Sequence, residues 1–200
     1  MKWIKSHIAI MVFTLFIQVY ATTESRTWEL NLNETSGSVQ FLAVGRPSFL
    51  KIRGHGEALE GALVVTQSGI SGSVSFNLDS LDTGINLRNE HMKHKYLEIH
   101  KFPKAELKII KISLPDTLWT DISTSLENVP YEGTLSLHGN QKKIDGLARI
   151  KREENDLNIT SQFKIKLKDF GIETPSFKGI TVSEDVDVSV SFKTPFQIKK

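Results

Sequence analysis

Residues 157–168 read Leu157-Asn158-Ile159-Thr160-Ser161-Gln162-Phe163-Lys164-Ile165-Lys166-Leu167-Lys168. Successive side chains of an extended chain point to opposite faces, so Leu157, Ile159, Phe163, Ile165 and Leu167 share one side. Asn158, Thr160, Gln162, Lys164, Lys166 and Lys168 share the other. A strand this long exceeds what a sandwich usually needs and suits a wall tilted across a barrel.

The same period recurs on both sides of this stretch. Val186, Val188, Val190 and Phe192 alternate with Asp185, Asp187, Ser189 and Ser191, and Val74, Phe76 and Leu78 alternate with Ser73, Ser75, Asn77 and Asp79. Weaker versions at 28–33, 38–44, 61–66, 105–112, 131–138 and 144–150 bring the expected total to about eight to ten strands. Each has one wet face, which marks a mainly antiparallel sheet. Residues 86–98 lack strand alternation and predict one short helix, ended by Pro103 at the latest. Residues 113–130 read as an irregular excursion. One short helix cannot cover so much sheet, so the sheet must close on itself or pack as a sandwich. The strand lengths favour closure, and the fold expected is an all-β, antiparallel β-barrel with one short helix.

The chain has 200 residues and no cysteine. The length fits one domain, and the zero cysteine count excludes a disulfide scaffold, an iron–sulfur cluster and a thiol nucleophile. Lys2 and Lys5 precede an apolar run from Ile8 to Tyr20 that is short for a membrane span, and Val19 and Ala21 follow the small-residue pattern of a cleavage site. The expectation is a signal peptide over 1–21, a barrel domain over 22–200, and a periplasmic or secreted protein; an uncleaved anchor is the alternative. Cleavage there removes two of the 25 lysines and arginines and leaves 23 to balance 23 acids. A neutral surface offers no general attraction to nucleic acid.

Ser80-Leu81-Asp82-Thr83-Gly84, Arg88-Asn89-Glu90-His91-Met92, Tyr96-Leu97 and Lys101-Phe102-Pro103 form an ordered series. With Val39-Gln40-Phe41-Leu42-Ala43, Gly54 and Gly61 upstream and Gly133 to Gly139 and Asp169-Phe170-Gly171-Ile172 downstream, it resembles the YceI-like family of exported lipid-binding proteins. That resemblance implies a lipocalin-like extended barrel holding the apolar tail of a long polyisoprenoid, such as an isoprenoid quinone or a polyprenyl pyrophosphate. The family often carries a histidine two residues beyond the position of Ala43, where this chain has Gly45 followed by Arg46-Pro47.

If the barrel closes, its apolar rows turn inward, and a small barrel is either filled by side chains or encloses a ligand. Phe41, Phe76, Leu78, Leu135, Leu137, Phe163, Ile165, Val188 and Val190 are the candidates for lining a lipid sleeve. Arg88, His91 and His138 are the candidates for its polar head. His138 follows the polar side of its strand and reaches a ligand only if the strand end bends at Gly139. The segment from Asp169 to Ile180 either closes the barrel mouth or packs beneath it.

Two catalytic readings compete with this one. On a regular helix Leu87, His91, His94 and Glu98 share a face, where two imidazoles and a carboxylate suit zinc and hence a metal-dependent enzyme. Asp82-Thr83-Gly84 spells the aspartic-protease motif, but that chemistry needs a second carboxylate and the chain has one copy. Its structural meaning is a turn held by Asp82 and Thr83 with Gly84 in a permissive conformation. A third class is an interaction module with a filled core. The reading carried forward is a non-catalytic binder of a long-chain isoprenoid lipid, without a metal, a cofactor or a nucleic-acid partner; transient membrane contact and a homodimer are compatible with it.

Overall fold

The computed structural model describes residues 27–32, 37–46, 48–121, 123–177 and 180–196. The expected signal peptide lies outside these residues. Among the described residues eleven strands form one sheet: β1 (Thr27–Leu32), β2 (Gly37–Arg46), β3 (Lys51–Glu57), β4 (Leu59–Thr66), β5 (Gly69–Asn77), β6 (Lys104–Ser113), β7 (Ser125–Leu137), β8 (Asn140–Glu153), β9 (Asp156–Lys166), β10 (Ser176–Phe177) and β11 (Ile180–Pro195). The order is β1-β4-β5-β6-β7-β8-β9-β11-β2-β3, with β10 on β11, and every ladder is antiparallel.

The sheet curls until its ends approach. β1 lies against β11 and β2 against β4, although no described ladder joins β1 to β3. At this seam Gly37 allows close approach: a Cβ there would stand 2.5 Å from Leu59 Cδ1 and from the Ser191 carbonyl oxygen. The free edge of β3 is covered by residues beyond β5, because His55 and Asp82 exchange backbone hydrogen bonds of 2.9 and 2.7 Å. An exposed edge that would template further pairing is thereby shortened.

The expected alternation is present in β9, where Leu157, Ile159, Phe163 and Ile165 are buried and Gln162, Lys164 and Lys166 exposed. Two windows stop short. Leu78–Ser80 and Leu167–Phe170 each tighten into a 3₁₀ turn that still buries Leu78 and Leu167. The excursion is shorter than expected, since β7 already begins at Ser125; it holds the single turn α2 (Thr117–Thr120).

The short helix expected over 86–98 is present over 86–96, with a change of pitch inside it. Only α1 (Asn86–Glu90) is α-helical, and His91–Tyr96 continues it as a π-helix. The wider turn shows in the bond from Leu97 N–H to the Met92 carbonyl, 2.9 Å and five residues back.

One end of the barrel is plugged by side chains. Leu63, Val65, Ile70, Ile112, Leu118, Ile150 and Leu157 are fully buried. Trp28 and Trp119 stack across the end with ring centroids 4.9 Å apart, and Phe196 packs edge-on to Trp28. Arg152 is buried beneath them, donating from Nη1 to the Leu118 carbonyl at 2.6 Å and lying over the Phe196 ring. The filled-core alternative thus describes this half of the barrel. The opposite end is different.

Candidate functional site

Toward the other end the same inward rows surround a cavity of about 500 Å³, within the range of small-molecule sites. All nine apolar candidates line it: Phe41 from β2, Phe76 from β5, Leu78 just beyond, Leu135 and Leu137 from β7, Phe163 and Ile165 from β9, Val188 and Val190 from β11. Register explains the convergence. Phe163, Val188, Phe41 and Gly54 sit directly opposite one another across four adjacent strands.

The two glycines of β3 shape this wall. A Cβ on Gly54 would stand 2.2 Å from Phe41 Cε1, and one on Gly56 would stand 2.6 Å from Phe76 Cζ. Both aromatic rings therefore lie against bare backbone. A larger residue at either position would push a ring into the cavity.

Sequence reasoning missed several lining residues. Val39, Ala43 and Leu107 belong to the alternating rows read from the sequence, and Leu59 continues the row of Leu63 and Val65 ahead of the window expected over 61–66. Met92 and Tyr96 follow Arg88 at steps of four, the same-face spacing of a helix, and line the cavity with it; the wider turn from His91 onward keeps His91 and Tyr96, five residues apart, on that side as well. Ile172, Pro175, Ser176 and Val182 also line the cavity, so the connection after β9 stands at its mouth.

Polar groups are few: Lys51, Thr83, Arg88, His91, Tyr96 and Ser176 are present, and the lining contains no Asp or Glu. The Asp82-Thr83-Gly84 turn positions Arg88. Asp82 Oδ1 accepts from the Gly84 N–H and from Asn89 Nδ2, both at 2.7 Å, while Asn89 Oδ1 accepts from the Thr83 N–H at 2.9 Å and its Oγ1 at 2.6 Å. The Thr83 carbonyl so fixed accepts from Arg88 Nη2 at 2.6 Å. Gly84 has φ +75°, a conformation that favours glycine. The Gly84 N–H, then Asn89, hold the Asp82 carboxyl below its ordinary value. That carboxylate is committed to a turn.

The head-group candidates separate. Arg88 and His91 line the cavity, and His138 does not. The chain does turn at Gly139, but His138 Nδ1 lies 3.1 Å from the Phe170 carbonyl oxygen and Nε2 3.0 Å from Glu98 Oε2, with Phe102 packed on the ring. The face proposed for zinc is not assembled. His94 Nε2 pairs with Glu90 at 3.4 Å, and Glu98 turns to Lys101 and His138. No group of three metal-ligating side chains stands together among the described residues.

A family model described as the YceI-like domain matches residues 28–194. No curated protein matches the sequence. Among solved structures, a polyisoprenoid binding domain from Saccharophagus degradans superposes with a TM-score of 0.63 at 16% identity, covering 84% of this chain and 98% of that one. BcnA of Burkholderia cenocepacia gives a TM-score of 0.59 at 13% identity over 78% of this chain and 95% of that one. A YCEI protein of Campylobacter jejuni gives 0.53 at 14% identity over 74% and 86%. At such identities the likeness is one of fold.

Proposed function

The chain belongs to the YceI-like domain family, and from that premise we propose that it is an exported, non-catalytic protein that binds a long-chain isoprenoid lipid of the quinone or polyprenyl phosphate type. One observation carries the reading: an apolar cavity of about 500 Å³ inside a barrel plugged at one end and hollow at the other. Phe41, Phe76, Leu78, Leu135, Leu137, Phe163, Ile165, Val188 and Val190 take the tail. Burial of each methylene is worth about 0.8 kcal/mol, so a few isoprene units suffice to drive binding after ordering costs are met. The name of the Saccharophagus degradans domain, a polyisoprenoid binder of the same fold, supports the choice of lipid.

Export rests on Lys2, Lys5 and the apolar run that follows, and implies the periplasm or the cell exterior. Ile85 and Leu87, respectively 52% and 57% exposed, belong to the cavity lining and therefore stand at its mouth. Exposed apolar groups there suit a transient contact with a membrane that supplies or receives the lipid. The test is loading: incubation with a long-chain prenyl lipid, followed by native mass spectrometry. A complex of one lipid per chain is the expected result, and failure of a series of prenyl lipids to load would refute the reading.

A further inference from the structure

Resting on that lipid reading, we infer that the Tyr131 ring is the floor of the cavity and sets the length of isoprenoid tail that the barrel accepts. No residue of β8 lines the cavity, although β7 and β9 on either side of it do. The Tyr131 ring stands in front of β8. Tyr131, Gly146 and Phe163 sit directly opposite one another on these three strands. The ring lies across the bare backbone of Gly146, where a Cβ would stand 2.5 Å from both Cε1 and Oη of the tyrosine. Its hydroxyl reaches past β8 to hydrogen-bond with Ser161 Oγ on β9, and both residues are buried.

That bond lies at the depth where the lining stops. On β9 the deepest lining residue is Phe163, and the next inward position is Ser161; on β11 it is Val190, which sits opposite Ser161. On β7 it is Leu135, and the next two inward positions are Gly133 and Tyr131. A Cβ on Gly133 would stand 3.2 Å from Leu107 Cδ1, which belongs to the lining, and 3.5 Å from Tyr131 Cε2. Only bare backbone therefore lies between the lining and the ring. A tail end that has passed Leu135 and Leu107 meets the ring, and can go deeper only by displacing it within a packed interior and breaking a buried hydrogen bond. Space vacated by the ring stays open, because Gly133 and Gly146 carry no side chain to refill it. Tail affinity should thus rise with each isoprene unit that the cavity can still bury, and stop rising at the ring.

The experiment titrates the full chain with prenyl alcohols from geraniol to solanesol, lengthened one isoprene unit at a time, and reads affinity by native mass spectrometry. In the parent, affinity climbs with length to a break and gains nothing beyond it. In Tyr131→Ala the break moves to a longer alcohol, and the first alcohol past the parent's break binds at least about tenfold tighter than it does to the parent. Tyr131→Phe keeps the ring and leaves the break in place. Tyr131→Leu combined with Ser161→Ala strands no polar group and moves the break in the same direction as Tyr131→Ala, which keeps the test open if the alanine variant does not fold. A break at the same alcohol in the parent and in the folded variants overturns the inference and leaves the lipid reading standing. Affinity that climbs without a break through solanesol does the same. A break that moves as far in Tyr131→Phe also overturns it, by tracing the change to a loosened fold and not to the space the ring fills. Binding of none of the alcohols defeats the inference and the lipid reading together.

Discussion

His138 and Glu98, forty residues apart, meet at the open end of the barrel with Nε2 and Oε2 3.0 Å from each other. The other ring nitrogen of His138 faces the Phe170 carbonyl at 3.1 Å. Both neighbours are acceptors, and each faces one of the two ring nitrogens. One side chain thus ties the end of the helical segment to the turn after β9.

Replacing His138 with Ala is expected to lower the melting temperature by a few degrees, since the contacts with Glu98 and the Phe170 carbonyl are lost where the ring is largely buried. Lys101, and secondarily His138, hold the Glu98 carboxyl below its ordinary value of 4.5. A depressed carboxylate contributes stability above its unfolded value and loses it as pH falls through the folded one. The gap between parent and His138→Ala should therefore narrow below pH 4.5, and a gap independent of pH would contradict the pairing.

The Asp82 turn makes a second prediction. Its carboxyl is held below the ordinary 3.8, chiefly by the Gly84 N–H. The clamp is complete above that value and loosens as pH falls through the lowered one. The amide-proton shift of Gly84 should titrate with a midpoint below 3.8, and Asn89→Ala should raise that midpoint. A midpoint unmoved by the substitution would argue against the clamp.

Much of this architecture is legible in the sequence because a period of two is a local property. The rows of β9 and β11 announce both the strands and the residues that line the cavity. The boundary between filled and hollow halves is not local: Trp28, Trp119, Arg152 and Phe196 come from distant segments and meet only when the sheet curls. The switch from α- to π-helix at His91 is equally hidden, for nothing in the local spacing signals the wider turn. The metal reading of His91, His94 and Glu98 rests on regular α-helical spacing, which the wider turn breaks, and the bend at His138 and Gly139, with φ +50° and +72°, carries the His138 ring to Glu98 and the Phe170 carbonyl and not into the cavity.

In the barrel interior the Tyr131 hydroxyl and Ser161 Oγ are hydrogen-bonded to each other, and both residues are buried. Tyr131→Phe leaves Ser161 without its partner and should cost about 1–3 kcal/mol in denaturant unfolding. Adding Ser161→Ala should recover part of that loss, because removing both polar groups is cheaper than stranding one. A double variant less stable than the single would refute the pairing.

Val188 faces the cavity from β11, between Phe163 and Phe41. A tryptophan there enters space that is open, so Val188→Trp should keep the strand spectrum of the parent, with at most about 1–3 kcal/mol of overpacking cost. Uptake of a prenyl lipid should be lost. Undiminished uptake by the folded variant would place the tail elsewhere.

The most direct measurement is mass spectrometry of an organic extract from the protein purified under mild conditions from its own host. The account predicts a stoichiometric prenyl lipid in the extract, and its absence from the extract of Val188→Trp. An extract free of prenyl lipid, from protein that also refuses to be loaded with one, would contradict the claim that the hollow half of this barrel is a lipid sleeve.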